Sequence, residues 1–249
     1  MKINLILLQS ELFIFDANDW SILRKKYRII GDFVGSLNSI PVLPLKLMPE
    51  EVHLLLEKQI GKIVKYAQLK YNEDFESNLL KEQKVVYMNN RRKQLIEMLN
   101  EIVASKRKKG DNREESEIFN EELSKSCEIT NDKMIWPITS TPICTDNEIV
   151  DYLPETRNCQ RYSVFKDLWE KGYYITSGEK FGGDFLVYKG DPITHHAIFI
   201  VRCIEENVPM LPCEIIAFGR LATSVKKRAV LASLIDDGVS YITVNWIDD

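Results

Sequence analysis

The segment that most constrains the fold is residues 180–227, where short apolar runs alternate with turn-forming glycine, proline and aspartate. The apolar run at 185–188 and the alternating residues at 196–202 each predict a strand. Pro212 suits the first position of a helix, and the helical pattern continues to about Ser224. Strands that are joined through a helix in this way predict a mixed α/β unit.

The residues on either side extend this unit. Apolar residues recur at helical spacing over 162–173, which predicts an amphipathic helix, and a strand is predicted directly after it at 174–176. Two further strands are predicted at 228–235 and 239–246, joined by an Asp-Asp-Gly hairpin turn at 236–238. The C-terminal domain is therefore predicted as helix, three strands, helix and two strands, about one hundred residues in all.

The N-terminal part begins with two apolar bursts, at 3–8 and 12–15, which predict a strand pair. Asp16 and Asp19 are both candidate N-caps for a helix that continues to about Tyr27. This order of elements indicates a small mixed α/β domain.

A loop is predicted over 31–44, where glycines and prolines are frequent. Pro49 suits the start of the next helix, and the two glutamates that follow it suit the positive end of the helix dipole. This helix is predicted to end at Gly61, before a short strand at 63–64. Three of its apolar side chains are expected to be buried: Val52, Leu55 and Leu56.

Charged residues dominate the middle of the chain. Over 71–105, apolar residues recur at spacings of three and four, which predicts a solvated helix with one packed face or a helix that docks a partner or RNA. The apolar stripe consists of Leu95, Met98, Leu99 and Ile102. A basic tetrad at 106–109 follows, and the apolar-poor sequence to about Ser126 predicts a flexible linker. The tetrad suits a nuclear localisation signal, an RNA contact or a solvated surface.

Composition is that of a globular protein, with 249 residues of which 45% are hydrophobic and 28% charged. We divide the chain into an N-terminal mixed α/β domain (1–70), a charged helical and flexible linker (71–134) and a C-terminal domain (135–249). No apolar run reaches the roughly 18 residues of a membrane span. Residues 1–8 are apolar but short, and no small-residue cleavage site follows them, so we expect no secretory signal.

The five cysteines are widely spaced, odd in number and form no CxxC pair, so we expect reduced thiols and neither a zinc site nor a disulfide framework. The formal net charge is −4. Any contact with nucleic acid must therefore use a local basic patch or a partner's surface.

Several motifs of the C-terminal domain occur together in one order. They are Lys180-Phe181-Gly182-Gly183-Asp184-Phe185-Leu186-Val187-Tyr188, Gly190-Asp191-Pro192, His196-Ala197, Gly219-Arg220-Leu221 and Ser224-Val225-Lys226-Lys227. On these residues the chain resembles the tRNA-splicing endonuclease family, and most of all its Sen34-type catalytic subunit. The resemblance is strong over 161–246, weaker over 31–56 and absent from the charged middle. It implies a restriction-endonuclease-like catalytic domain with a mixed sheet and flanking helices.

The resemblance implies a catalytic triad of Tyr188, His196 and Lys227. His196 is preferred to His195 because the family's histidine directly precedes a small residue, as His196 does. Adjacent residues of a strand face opposite sides, so only one of the two histidines can face the site. Lys227 matches the family's lysine, and Lys226 stands where the family usually has arginine.

The resemblance also implies an RNA contact. Arg220 and Trp246 match an arginine and a tryptophan that sandwich a splice-site base, as guanidinium and indole planes can do. For Trp246, packing at the end of a strand is the alternative. The three glycines Gly182, Gly183 and Gly190 are interpreted as tight backbone positions, because no helix start follows them as a phosphate-binding loop requires.

These side chains suit RNA cleavage without a metal or other cofactor, in which the neighbouring 2′-hydroxyl is the nucleophile. Histidine suits the general acid, and lysine suits the phosphate oxygens. The family implies that Tyr188 is the general base, but a phenol with a reference pKa of about 10 equally suits a positioning hydroxyl. The implied products are a 2′,3′-cyclic phosphate and a 5′-hydroxyl at the 3′ splice site of precursor tRNA.

Two alternatives remain. One is a non-catalytic subunit that holds RNA or partners, and the joint presence of the triad argues against it. The other is a metal-dependent nuclease built on Asp184 and Asp191, which lack the accompanying carboxylate-x-lysine signature. The family further implies a heterotetramer with Sen2-, Sen54- and Sen15-type subunits, with the strand at 239–246 as a pairing edge. We expect no membrane insertion, and location in the nucleus or at the mitochondrial outer surface.

Overall fold

The computed structural model describes residues 2–8, 10–32, 43–65, 73–127, 159–205, 208–235 and 238–245. The chain divides into two compact units. One consists of Met1–Lys26, Phe33–Leu47 and Leu55–Tyr152, and the other of Tyr27–Asp32, Met48–Leu54 and Leu153–Asp249. Among the described helices, none is both long enough and apolar enough to cross a membrane.

The first unit contains a four-stranded sheet in the order β3-β2-β1-β4. Its strands are β1 (Ile3–Leu8), β2 (Glu11–Ile14), β3 (Leu45–Lys46) and β4 (Gly61–Lys65). β1 pairs antiparallel with β2 and parallel with β4. The predicted strand pair and the predicted strand at 63–64 are therefore confirmed.

Helix α1 (Ala17–Tyr27) follows β2, and its cap is Asp16 rather than Asp19. The Asp16 carboxylate accepts hydrogen bonds from the backbone N–H groups of Asn18 (2.8 Å) and Asp19 (3.1 Å). These bonds satisfy donors that have no partner within the first turn of a helix.

Helix α2 (Pro49–Glu57) starts at the predicted proline, and Val52 and Leu55 are buried as predicted, whereas Leu56 is half-buried. The predicted end at Gly61 is wrong, because α2 ends at Glu57 and Gly61 opens β4. Gly61 marks close backbone packing instead, since a Cβ atom there would lie 2.9 Å from Cδ1 of Leu5.

Glu51 is fully buried at the start of α2. Its carboxylate accepts hydrogen bonds from the backbone N–H groups of Ile30 (3.1 Å), Gly31 (2.8 Å) and Met48 (2.9 Å). The bond to Met48 is one half of a capping box. Burial raises the pKa of Glu51 to about 7, against the opposing effect of the three N–H donors. The folded protein therefore keeps a proton that the unfolded chain releases at lower pH.

Raising the pH from about 5 to about 7.5 is expected to destabilise the protein through Glu51. Because the folded pKa of about 7 lies above the unfolded value of 4.5, this stabilisation is present at low pH and is lost as the pH rises through 7. The loss is on the order of 3 kcal/mol. Glu51→Gln should remove this part of the pH dependence, which urea unfolding of both proteins at the two pH values measures. An identical pH dependence in both proteins would contradict the assignment.

The charged middle forms three helices in the first unit: α3 (Glu73–Glu97), α4 (Leu99–Lys108) and α5 (Glu115–Cys127). The predicted apolar stripe is packed, with Leu95, Met98 and Ile102 buried. The interpretation of the segment to Ser126 as a flexible linker is wrong at α5, where Ile118 is fully buried. Ion pairs add to this packing: Lys106 of α4 lies 3.1 Å from Glu121 and 3.0 Å from Glu122 of α5.

The second unit contains a five-stranded sheet in the order β5-β6-β7-β8-β9. Its strands are β5 (Tyr174–Ser177), β6 (Phe185–Tyr188), β7 (Phe199–Cys203), β8 (Arg228–Ile235) and β9 (Gly238–Val244). β7 and β8 are parallel, and all other neighbours are antiparallel. Helix α6 (Cys159–Glu170) precedes the sheet, and helix α7 (Pro212–Ser224) connects β7 to β8. The predicted mixed α/β order of helix, three strands, helix and two strands is confirmed.

Strand alternation separates two packed faces of this sheet. On one face the ring of Phe185 packs against Phe165 of α6, with centroids 5.8 Å apart. On the other face a core cluster joins Phe218 and Ala222 of α7 to strand residues. These strand residues are Leu186, Ile200, Ala229 and Leu231. The two helices therefore cover opposite faces of the sheet.

The predicted start of the third strand is wrong. β7 begins at Phe199 rather than His196, because a turn closes just before it. The backbone N–H groups of Thr194 and His195 both donate to the carbonyl oxygen of Asp191, each at 2.9 Å. His196 consequently lies between this turn and the first pair of the β7 ladder, on an irregular segment outside the strand.

Candidate active site

Three sheet elements bring the predicted catalytic residues to one edge. Tyr188 is the last residue of β6, Lys227 directly precedes β8, and His196 lies shortly before β7. β6 runs antiparallel to β7, and β7 runs parallel to β8. The end of β6 and the beginnings of β7 and β8 therefore meet at the same edge of the sheet.

The register places Tyr188 and Lys227 in one row. Val187 is paired with Phe199, and Phe199 is paired with Arg228. Tyr188 and Lys227 therefore stand on either side of the β7 chain at the level of Ile198. With strands about 4.8 Å apart, their Cα atoms are about 10 Å apart, a gap that two long side chains span with a phosphate between them.

Alternation puts this row on the face that α7 covers. Leu186 lies two residues before Tyr188 and belongs to the α7 core cluster, and Tyr188 itself packs against that cluster. His195 and His196 lie on the irregular segment before β7, where strand alternation does not assign a face, and the next residue, Ala197, belongs to the α7 core cluster.

Tyr188 is half-buried, and its hydroxyl shares a 3.3 Å hydrogen bond with the hydroxyl of Thr176 on β5. Burial raises the pKa of Tyr188 above its ordinary value of 10, and the bond to Thr176 opposes this only in part. At neutral pH the side chain is therefore a neutral phenol that can donate or accept a hydrogen bond.

The two histidines have different surroundings, although both are exposed. Nδ1 of His195 lies 2.8 Å from the hydroxyl oxygen of Thr194. The ring of His195 also lies over Gly190, where an added Cβ atom would be 2.5 Å from it. His195 is thus held against the turn that precedes it, and the choice of His196 rests on the family motif.

Lys227 is held at the end of α7. Lys226 has a left-handed backbone (φ 55°). The backbone N–H of Lys227 donates to the carbonyl of Ala222 at 2.8 Å. The chain therefore turns between the two lysines, and their side chains leave the helix end in different directions. The Nζ atom of Lys227 donates to the carbonyl of Val225 (3.1 Å) and lies 5.2 Å from the ring centroid of Phe181. The lysine assigned to the triad is therefore a positioned ammonium group.

The structure describes only one of the two predicted RNA contacts. Arg220 is exposed on α7, the helix that ends at the site edge. Trp246 lies outside the described residues, so its role stays a prediction.

The basic tetrad is partly neutralised, because Lys106 pairs with acids of α5 and Arg107 lies 3.4 Å from Glu115. Nuclear location therefore also stays a prediction.

Asp184 has a structural role in place of the metal-binding role considered above. One carboxylate oxygen accepts from Arg161 at 2.7 Å, and the other accepts from the backbone N–H of Cys203 at 2.7 Å. The carboxylate of Asp191 accepts from the backbone N–H of Ile193 within its turn (2.9 Å). Among the described residues, no three histidine, cysteine, aspartate or glutamate side chains cluster as metal ligands.

The glycines are tight backbone positions, as predicted. Gly182 has a left-handed backbone (φ 65°), and a Cβ atom at Gly183 would lie 2.5 Å from Cγ2 of Ile200. Two neighbours of the triad, Thr176 and Phe181, were not identified from the sequence. Phe181 stands inside a motif that resembles the family, which was an available signal, whereas Thr176 has no sequence signal because only strand pairing places it beside Tyr188.

Comparison with known proteins covers both ends of the chain. Residues 158–243 match the family model described as tRNA intron endonuclease, catalytic C-terminal domain, and residues 3–66 match the TSEN34-like, N-terminal domain. The chain is 46% identical over 89 residues to tRNA-splicing endonuclease subunit Sen34 of Homo sapiens, which covers 34% of this chain and 28% of that protein. It is 27% identical over 262 aligned residues to the probable tRNA-splicing endonuclease subunit sen34 of Schizosaccharomyces pombe, covering 92% and 86%. It is 42% identical over 89 residues to the tRNA-splicing endonuclease of Saccharolobus solfataricus, covering 34% and 48%. The chain thus spans little more than a quarter of the human protein it matches.

Proposed function

Because the chain belongs to the tRNA-splicing endonuclease family, we propose that it is a catalytic subunit that cuts precursor tRNA at the 3′ splice site. The products are a 2′,3′-cyclic phosphate and a 5′-hydroxyl. The observation that carries this proposal is the meeting of three strand ends, which brings Tyr188, His196 and Lys227 to one edge of the five-stranded sheet. A subunit that only held RNA would have no need for a phenol, an imidazole and an ammonium group at one edge.

The chemistry is an in-line displacement at the scissile phosphate. The 2′-oxygen forms a bond to phosphorus, the bond from phosphorus to the 5′-oxygen breaks, and the 2′-hydroxyl loses its proton. His196 gives a proton to the departing 5′-oxygen, because its imidazole is exposed and can reach the substrate. Lys227 stabilises the negative charge on the phosphate oxygens from its fixed position.

The phenol of Tyr188 contacts the 2′-hydroxyl in this scheme. As a general base it would have to lose its own proton, and burial makes that loss harder in the free protein. As a positioning group it would orient the 2′-hydroxyl without changing charge, and solvent water would accept the proton of the 2′-hydroxyl. The raised pKa of Tyr188 in the free protein supports the positioning role. When RNA is bound, the charges of Lys227 and of the phosphate also act on the pKa of Tyr188, and they determine which of the two roles it takes.

We further propose that the chain works in a heterotetramer with Sen2-, Sen54- and Sen15-type subunits. Its net charge of −4 supports this, since a whole tRNA needs more basic surface than this chain supplies. β9 supports it as well, because it is the last strand of its sheet and exposes 57% of Ile242. Such an edge invites a partner strand.

The test is cleavage of an intron-containing precursor tRNA by the assembled complex in EDTA, with spermine added to keep the RNA folded. Cleavage at the 3′ splice site is expected to proceed within about threefold of its rate in Mg²⁺, because the proposed groups need no Lewis acid. The 3′ exon should accept phosphate from polynucleotide kinase without prior phosphatase treatment, which identifies a 5′-hydroxyl. Activity that returns only when Mg²⁺ is added would refute the metal-free mechanism.

A further inference from the structure

The turn before β6 is part of the family motif, yet none of the three proposed catalytic groups lies on it. It carries Phe181, whose half-buried ring packs against the core cluster beneath α7. The same ring faces the catalytic ammonium group, with Nζ of Lys227 5.2 Å from the ring centroid. This distance is within the range of a cation–π contact.

The turn is rigid, so the ring is held in place. The N–H groups of Phe181 and Gly183 both donate to the carbonyl of Gly178, at 2.8 and 3.2 Å. The carbonyl of Gly182 accepts from Arg202 at 2.7 Å, and the guanidinium of Arg202 lies 4.5 Å from the ring centroid of Phe218 in the core cluster. The left-handed backbone of Gly182 and the close packing of Gly183 exclude larger residues at both positions.

We propose that Phe181 is a positioning residue for the cleavage reaction, which holds the ammonium group of Lys227 in its catalytic place. This inference rests on the proposed function. A lysine side chain has four freely rotating bonds, and ordering it costs conformational entropy. The carbonyl of Val225 takes one of the three N–H donors of Nζ, and the ring of Phe181 supports the charge from another side. Nζ has two further N–H donors, which the proposal assigns to the phosphate, so the group is positioned before the transition state forms.

The test compares Phe181→Leu with Phe181→Tyr in the assembled complex. Leucine keeps an apolar side chain on the core cluster but removes the ring, whereas tyrosine keeps the ring. Phe181→Leu is expected to lower kcat for 3′ splice-site cleavage about fivefold to thirtyfold, with KM unchanged. Phe181→Tyr is expected to stay within about twofold of the wild-type rate, because the π face is retained.

A double-mutant cycle with Lys227→Met separates positioning from packing. If Phe181 acts through Lys227, Phe181→Leu has no further effect once the ammonium group is gone. An equal loss in both backgrounds, or a change in KM alone, overturns the inference. If Phe181→Leu does not fold, fluorinated phenylalanines at position 181 provide the test. They keep the shape of the ring and weaken the attraction of its π face for a cation. Their rates should fall stepwise with fluorine content, and a constant rate overturns the inference.

The same cycle distinguishes failure of this inference from failure of the proposed function. A strongly impaired Lys227→Met complex that Phe181→Leu slows further, by as much as it slows the wild-type complex, overturns only the positioning role. A fully active Lys227→Met complex overturns both, because the catalytic lysine is then misassigned.

Discussion

Replacing His196 with alanine is expected to slow cleavage at the 3′ splice site by roughly 10²–10⁴-fold, the usual contribution of a positioned general acid. The departing 5′-oxygen then leaves as an alkoxide or takes its proton from water. His196 is exposed on the segment before β7, so the substitution removes no core contact and folding should be unaffected. Single-turnover cleavage of precursor tRNA by the assembled complex measures the effect at each splice site separately.

His195→Ala is the matched control for this prediction. It changes the neighbouring residue of the same type and exposure, but its ring is held by Thr194 and lies over Gly190. We expect cleavage within about threefold of the wild-type rate, since only the local turn is affected. The 5′ splice site should be cut normally in both variants, which shows that the complex has assembled and binds RNA. A fully active His196→Ala complex together with an inactive His195→Ala complex would exchange the two assignments.

The C-terminal half of the fold could be predicted because local signals and tertiary structure agree there. Pro212 starts α7, and the α7 and β8 bounds coincide with the predicted ones. The start of β7 could not be predicted, because His196 and Ala197 continue the strand-like alternation of the sequence although they follow the turn held by Asp191 and precede the first paired residues. Periodicity reports which way side chains alternate, but it does not report where a neighbouring strand ends.

The error at α5 has a different cause. A sequence with few apolar residues predicts no core, but α5 buries Ile118 fully and Phe119 and Leu123 in part, and its acidic residues also form ion pairs. Glu121 alone lies within 3.1 Å of Lys106, Arg113 and Lys125. Two of these pairs join α5 to residues outside it, and composition does not distinguish such pairs from a solvated charged chain.

The arrangement of the candidate site also could not be predicted from local sequence patterns. Family motifs supply Tyr188, His196 and Lys227 as separate matches, and only the pairing of β6, β7 and β8 shows that they share an edge. The contact between Tyr188 and Thr176 depends on the register of β5 against β6, in which Thr176 is paired with Leu186. The pKa shift of Tyr188 follows from its burial, which is a property of the folded protein and not of the motif.

Tyr188→Phe removes only the hydroxyl, and we expect cleavage to slow by roughly 10²–10⁴-fold if that hydroxyl is the general base. Loss of a positioning hydrogen bond alone would cost about tenfold. Single-turnover rates at the 3′ splice site distinguish these two ranges. Thr176→Val gives a second measurement, because it removes the hydrogen bond that lowers the pKa of Tyr188. With less phenolate at neutral pH, a base mechanism should slow several-fold.

The pH dependence of the cleavage rate distinguishes the two roles of Tyr188. Because burial raises the pKa of Tyr188 above 10, the phenolate is a minor species at neutral pH. As long as the pH stays below that pKa, each rise of one pH unit increases the phenolate fraction about tenfold. A fluorotyrosine at 188 is a stronger acid, so the phenolate fraction rises by more than the base strength falls. A general base should therefore give faster cleavage at pH 7 and a pH optimum at lower pH than the wild-type complex. An unchanged rate at pH 7 would show that Tyr188 orients the 2′-hydroxyl as a neutral phenol, the state that its burial and its bond to Thr176 favour in the free protein.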